Sequence, residues 1–335
     1  MAQSIGKIRV VVTNKAFPEA LASFGDNFEL DANRSTEPWG TTEWLQHVRS
    51  ADAVIAFMPD RIGEDELAQC PHLKLISCAL KGYDNFDLQA CERRNVAVCI
   101  VEDILTVPTA ELAVGLLIAV SRNLLKGDAL VRSGQFRGWR PTLYGCGIQR
   151  ATIGLMGMGA VGQAIAARLK GFECSLLYHD QRRLSEDSER TLGAAWVRRE
   201  ELFACSDFLI LALPLTAQTI HCIDRDVLVQ MKPGAYLINP ARGSLVNEAA
   251  VADALASGHL AGYAADVFEF EDWARPDRPP EMNGSLQTMP DCTVFSPHLG
   301  SAVTTVRLAI ELQAAQNVID FFSGKTPSGL VTAKK

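Results

Sequence analysis

The chain has 335 residues, more than one hydrophobic core usually supports, so two domains are expected. At 48% hydrophobic and 21% charged residues the composition is that of a globular protein, and no apolar run approaches the roughly 18 residues of a membrane span. The net charge of −7 argues against nucleic acid or an anionic membrane as partner, and it makes any anion-binding site a local arrangement.

The opening MAQSIGKIRVVVTNK has Arg9 inside its short apolar run and no small-residue cleavage site, so no secretory signal is expected. Apolar runs at 8–12, 53–57, 75–78 and 96–100 read as strands, with helical composition between them. That alternation implies a parallel sheet covered on both faces. The nine cysteines include no CxxC pair and read as reduced thiols of a cytoplasmic protein, with no disulfide framework and no metal site. Residues 109–131, around LAVGLLIAV, read as one helix that is apolar on nearly all sides. Such a helix is buried, between domains or at a subunit contact.

A second series starts at Thr152 with strand TIGLM, the turn GMGAVG and helical AIAARLKG. Strands CSLLY, DFLILAL and AYLIN follow. Helix NEAAVADALASG, with Asn247 as N-cap and Gly258 as its stop, precedes strands AGYAADV and TVFS. The Pro-rich 274–284 reads as a surface loop. A last long helix at 303–322 is expected to return to the first domain. The expected fold class is α/β with two doubly wound parallel sheets. The first domain is discontinuous, 1–104 and 298–335, around a second domain at 105–297.

Gly157, Met158, Gly159, Ala160, Val161 and Gly162 spell GxGxxG between a strand and a helix, the context that gives the pattern meaning. The first glycine makes the tight turn, the second admits a pyrophosphate, and the third lets helix and strand approach. Amides at the helix N-terminus hold the phosphates. Asp180 lies 18 residues beyond Gly162 (180 − 162), at the end of the second strand. A carboxylate there accepts from ribose hydroxyls and repels a 2′-phosphate, which selects NAD. Arg182 and Arg183 follow at once. They either partly neutralise a 2′-phosphate, so that NADP is tolerated, or form a solvated surface pair.

Three residues stand just past successive strand ends: Arg242 after AYLIN, Glu271 after AGYAADV and His298 after TVFS. Open α/β sheets bind ligands at that edge. Arginine clamps an anion with a forked pair of hydrogen bonds, histidine moves a proton near neutral pH, and a carboxylate fixes the imidazole tautomer. Together they suit hydride transfer from a small oxyanion.

On GMGAVG, NPARGSLVNEAAV, GYAADVFEFE and SPHLGSAV the chain resembles the D-2-hydroxyacid dehydrogenase family over nearly its whole length. The resemblance implies a Rossmann NAD-binding domain beside a discontinuous flavodoxin-like substrate domain, in a homodimer. It implies that Arg242 binds substrate, that Glu271 supports the histidine, and that His298 is the acid/base. It also implies dinucleotide contacts from Asp266 at the nicotinamide carboxamide, and from Thr109, Leu213, Pro214, Pro240, Ala241 and His298.

Further stretches, at 56–60, 78–87, 107–116, 133–145 and 267–279, are similar to the phosphonate (phosphite) dehydrogenases within that family. That similarity implies oxidation of phosphite to phosphate. It assigns Met58, Lys81, Gly82 and Arg307 to substrate, with Trp139 and Tyr144 nearby. Phosphite is a dianion near neutral pH, so an ammonium at Lys81 in addition to Arg242 suits its charge. Two other readings stay open: an ordinary dehydrogenase of a 2-hydroxy or 2-oxo acid, and a non-enzymatic NAD-sensing protein of the same fold. The apolar 112–120 run, with Trp139 and Tyr144 as anchors, is expected at the dimer interface.

Overall fold

The computed structural model describes residues 6–331, which form two units. The first unit runs to Leu105 and adds Trp273–Pro276 and the residues from Val303 onward. Its strands are β1 (Ile8–Val12), β2 (Phe28–Ala32), β3 (Ala53–Ala56), β4 (Leu75–Cys78) and β5 (Ala97–Cys99). They pair in parallel in the order β5-β4-β3-β1-β2, and the short strand Leu330–Val331 adds antiparallel to β5. This is the flavodoxin-like doubly wound order. β3 and β4 are buried on both faces, so they read as unbroken apolar runs rather than alternating ones. β2, with Glu29 and Asp31 inside FELDA, is an edge strand that the apolar pattern did not disclose. Helix Thr304–Phe322 packs Ile310, Ala314, Ala315 and Val318 into this unit's core, and the Ser77 hydroxyl donates to the Ala314 carbonyl at 2.8 Å.

The second unit spans Thr106–Asp272 and Asp277–Ala302. Its strands are β6 (Thr152–Met156), β7 (Ser175–His179), β8 (Ala194–Trp196), β9 (Phe208–Leu211), β10 (Ala235–Asn239), β11 (Leu260–Ala265) and β12 (Thr293–Phe295). All are parallel, in the order β12-β11-β10-β9-β6-β7-β8. The chain reverses direction across the sheet between β6 and β9, the switch point where such sheets take dinucleotides. The passage back to the first unit comes at Val303 rather than at residue 298, so His298 shares a unit with Glu271 and Arg242.

The expected single helix at 109–131 is two helices, Thr106–Ser121 and Leu124–Arg132, bent by 65°. Asn123 sits between them in the left-handed region at φ 53°, where a helix cannot continue and asparagine is among the tolerated residues. The 112–120 run is not held in reserve for a partner. Ala113, Val114, Leu116, Leu117 and Val120 pack with Ile153, Leu155, Ile238 and Ala264 in the unit's own core. No single helix among the described residues is long and apolar enough to cross a membrane. The loop expected at 274–284 is not wholly a surface one, because Arg275 within it is buried.

Asp60, just beyond β3, is buried and accepts from the Thr13 hydroxyl, the Trp44 indole at 3.1 Å and the Phe57 amide at 2.7 Å. Burial outweighs these donors and pushes its carboxyl up to about 6. The folded chain therefore keeps a proton that the unfolded chain releases near pH ~4. Stability should fall as pH rises from about 4 to about 6, by about 3 kcal/mol for this group. Chemical denaturation across that window should show a flatter profile for Asp60→Asn than for the parent.

Candidate active site

Gly157 leaves β6 at φ +99°, and a Cβ there would lie 2.4 Å from the Ala212 carbonyl oxygen. A Cβ on Gly162 would lie 2.3 Å from the Gly157 oxygen. Both positions admit only glycine, one for conformation and one for close approach. Gly159 differs. None of the described atoms beyond its chain neighbours lies within 4 Å of its Cβ position, so the backbone opens outward just where helix Ala160–Leu169 begins. Open backbone in front of a helix N-terminus suits a pyrophosphate. The residues present therefore fit a dinucleotide.

Asp180 follows β7 and accepts from the Met158 amide at 2.7 Å and the Arg182 amide at 3.0 Å. It thus ties the glycine turn to the second strand end, a role its spacing alone did not reveal. A carboxylate offers about four acceptor positions, so ribose hydroxyls can still be received. Arg182 is exposed, but the Arg183 guanidinium is bound in a fork by Glu189. Leu213 and Pro214 lie beyond β9, and Pro240 and Ala241 follow β10. These positions and the glycine turn flank the switch point.

At the end of β11, Asp266 is 1% exposed. It accepts from the Ser296 hydroxyl at 2.6 Å and from the amides of Leu299 and Gly300 at 2.7 and 2.8 Å. Burial pushes its carboxyl above the usual range, and these donors oppose the shift. The loop after β12 is thereby wrapped around one buried carboxylate. Thr109 adds to the hold, donating to the Gly300 carbonyl at 3.3 Å. Within that loop His298 adopts φ +55°, an uncommon conformation for a non-glycine residue that persists only where its surroundings impose it. Its Nδ1 lies 2.9 Å from Glu271 Oε2. Glu271 Oε1 in turn accepts the Phe268 amide at 2.7 Å.

Arg242 lies in the turn after β10, where its carbonyl accepts from the Asn239 side chain at 2.8 Å. A Cβ on the next residue, Gly243, would come within 1.9 Å of the Phe268 carbonyl carbon. The arginine turn and the Glu271 turn therefore pack backbone against backbone. A buried network behind them carried no sequence signal. The Glu248 and Glu269 carboxylates accept each other's amides at 2.8 and 3.0 Å, and His221 contacts Glu269 at 2.7 Å.

In the first unit, Arg307 donates to the Ala79 carbonyl at 3.3 Å, lies 3.7 Å from Glu311 and sits over the Phe57 ring. It thus braces the loops after β3 and β4 that carry Met58, Lys81 and Gly82. Lys81 is paired with the exposed Asp103 at 3.2 Å rather than standing alone. Trp139 and Tyr144 are 75% and 73% exposed on the segment after helix Leu124–Arg132.

A sheet with this switch point, a glycine turn joined to Asp180, and a carboxylate-held histidine beside an arginine turn together define an NAD-dependent dehydrogenase. The profile described as "D-isomer specific 2-hydroxyacid dehydrogenase, NAD binding domain" matches residues 114–300. The chain is similar to a glyoxylate reductase of Pyrococcus furiosus, 37% identical over 97% of this chain and 95% of the relative. Among solved structures it is similar to the TT0316 protein of Thermus thermophilus, with TM-score 0.87 and 34% identity over 96% and 99% of the two chains. It is also similar to an NADPH-dependent glyoxylate/hydroxypyruvate reductase of Sinorhizobium meliloti, with TM-score 0.82 and 27% identity over 97% of each chain. The chain belongs to the D-isomer-specific 2-hydroxyacid dehydrogenase family. The expected likeness to phosphonate dehydrogenases is not the one that these relatives carry: the Pyrococcus furiosus protein and one of Thermococcus litoralis are both named glyoxylate reductases.

Asp180→Ala tests the expectation that this carboxylate faces the ribose and repels a 2′-phosphate. The ratio of kcat/KM for NADP over NAD should rise by about tenfold or more, since ~1.4 kcal/mol is one decade. Loss of the two amide contacts should also lower the melting temperature. An unchanged ratio would show that Asp180 does not face the ribose.

Proposed function

We propose that the chain oxidises phosphite to phosphate, passing a hydride to NAD+ while water supplies the new oxygen. Phosphite, water and NAD+ give phosphate, NADH and a proton. A bound dinucleotide would supply the hydride acceptor, and the chain's own residues would hold the anion and move the proton. With Nδ1 donating to Glu271, the Nε2 lone pair of His298 is left to take the proton from water. Arg242 and Lys81 are the two cations this reading assigns to the phosphite oxygens.

The observation that carries the reading is Lys81, in the loop after β4. Its partner Asp103 has a side chain that is 78% exposed. An exposed pair of this kind is worth about 0–1 kcal/mol, so a dianion readily takes its place. A second reading is favoured by the relatives' names: reduction of a 2-oxo acid such as glyoxylate, with His298 giving the proton instead. Function must be argued from the site rather than from the fold, and the phosphite reading rests on a second cation, Lys81, in that loop.

The deciding measurement is NADH formation with phosphite as sole reductant, beside NADH consumption with glyoxylate. Phosphite turnover should dominate, and turnover of either kind excludes a purely NAD-sensing role. Lys81→Ala should lower kcat/KM for phosphite at least tenfold, because losing a charge-assisted contact to a ligand costs ~2–5 kcal/mol. His298→Ala should remove most of kcat and leave NAD binding intact. Efficient glyoxylate reduction without phosphite oxidation would overturn the assignment in favour of the second reading.

We also propose a cytoplasmic homodimer. With 112–120 packed in its own core, the exposed large apolar side chains just beyond it are Leu124, Leu125, Val131, Phe136, Trp139, Leu143 and Tyr144. They lie on helix Leu124–Arg132 and the exposed segment after it. That segment is pinned at its end, where the Cys146 amide donates to the Ser121 carbonyl at 2.9 Å and Gly145 leaves no room for a side chain. Large aromatics at the centre of such a patch are typical anchors. Sedimentation should give a dimer at micromolar concentration, and Trp139→Asp should shift it toward monomer.

A further inference from the structure

We propose that Glu189 is a positioning residue that sets dinucleotide selectivity by withholding Arg183 from the adenosine ribose. The inference rests on the placement of the dinucleotide at the ends of β6 and β7. Asp180 directly follows β7, and Arg183 comes three residues later. Three residues span at most about 11 Å, so the Arg183 guanidinium is within reach of whatever Asp180 faces. An arginine near that carboxylate is the usual means of accommodating a 2′-phosphate.

Here the guanidinium is committed elsewhere. Its Nε donates to Glu189 Oε1 and its Nη2 to Oε2, both at 2.9 Å. A two-point fork onto a carboxylate is the strongest geometry open to arginine. Glu189 does not depend on Arg183 for its place. It sits on helix Glu186–Leu192, and the Tyr178 hydroxyl donates to its Oε1 at 2.8 Å. That hydroxyl also accepts the Leu184 amide at 2.8 Å, which fixes the loop that carries Arg183. The Glu189 side chain is 12% exposed and that of Arg183 is 59% exposed, so the anchor is built in and the arginine is the movable partner. The arginine holds the Glu189 carboxyl down at about 2, so the pair stays charged across the physiological range.

Glu189→Gln keeps an oxygen for the Tyr178 hydroxyl and loses the charged fork. The test is direct binding of NAD and NADP to the full chain by titration calorimetry, without substrate, so that it does not depend on which anion is oxidised. Glu189→Gln should tighten NADP about tenfold and leave NAD within about twofold, because the neutral 2′-hydroxyl gains little from a guanidinium. Arg183→Ala alone should change neither affinity, because the side chain is already withheld. Adding Arg183→Ala to Glu189→Gln should abolish the gain. In turnover the gain should fall on the KM for NADP, with kcat unaltered.

Arg183→Lys provides an independent arm, since an ammonium cannot make the fork. It should tighten NADP by about threefold. A melting curve like the parent's together with unchanged NADP affinity in Glu189→Gln overturns the proposal. So does a gain that survives removal of Arg183, or no gain in Arg183→Lys. A parent chain that binds NAD normally while the variants fail leaves the dinucleotide assignment standing, whereas a parent that binds neither dinucleotide overturns both.

Discussion

The catalytic end of the second unit is organised around one buried carboxylate. Asp266 accepts three hydrogen bonds from the loop after β12 and is almost wholly removed from water. A buried charge is tolerable only when it is paired or well hydrogen-bonded, so the loop has little freedom to leave it. His298 is held in left-handed backbone as a consequence, with its ring directed at Glu271. His298 thus owes its placement to a residue whose own acceptor capacity is largely spent on structure.

The neighbouring arrangement uses steric exclusion instead of charge. Gly243 and Phe268 meet at a distance no side chain would allow, which brings the Arg242 turn against the turn bearing Glu271. Behind them Glu248 and Glu269 exchange amide hydrogen bonds, and His221 closes the network. A partly satisfied polar network in a low-dielectric interior is expensive, while a fully connected one is rigid. Rigidity is what a site for hydride transfer requires, since the reacting groups must be held in place.

Charge is managed locally throughout. The molecule is net negative, and three of the basic groups discussed above are found with an acidic partner: Lys81 with Asp103, Arg307 with Glu311, Arg183 with Glu189. The pairings differ in strength, and that difference governs which cation is available. The Lys81 pair is single-point with an exposed partner. The Arg183 pair is a fork with an anchored one. The Arg307 pair is long and buried, and burial lowers the guanidinium's hold on its proton.

By itself the sequence determined the α/β class, most of the parallel strands, the glycine turn, and the three strand-end residues Arg242, Glu271 and His298. Each of these depends on local pattern: apolar runs of strand length, glycines at fixed spacing, or a residue type just past a strand. Only the tertiary structure decided that 109–131 breaks at Asn123, that 112–120 is this unit's own core, and that His298 sits with Glu271 rather than with the C-terminal helix. It also decided the contacts of Asp266, Glu189 and His221. Those contacts join residues apart in sequence or depend on the direction a side chain takes across a strand end. Neither leaves a periodic trace in the chain.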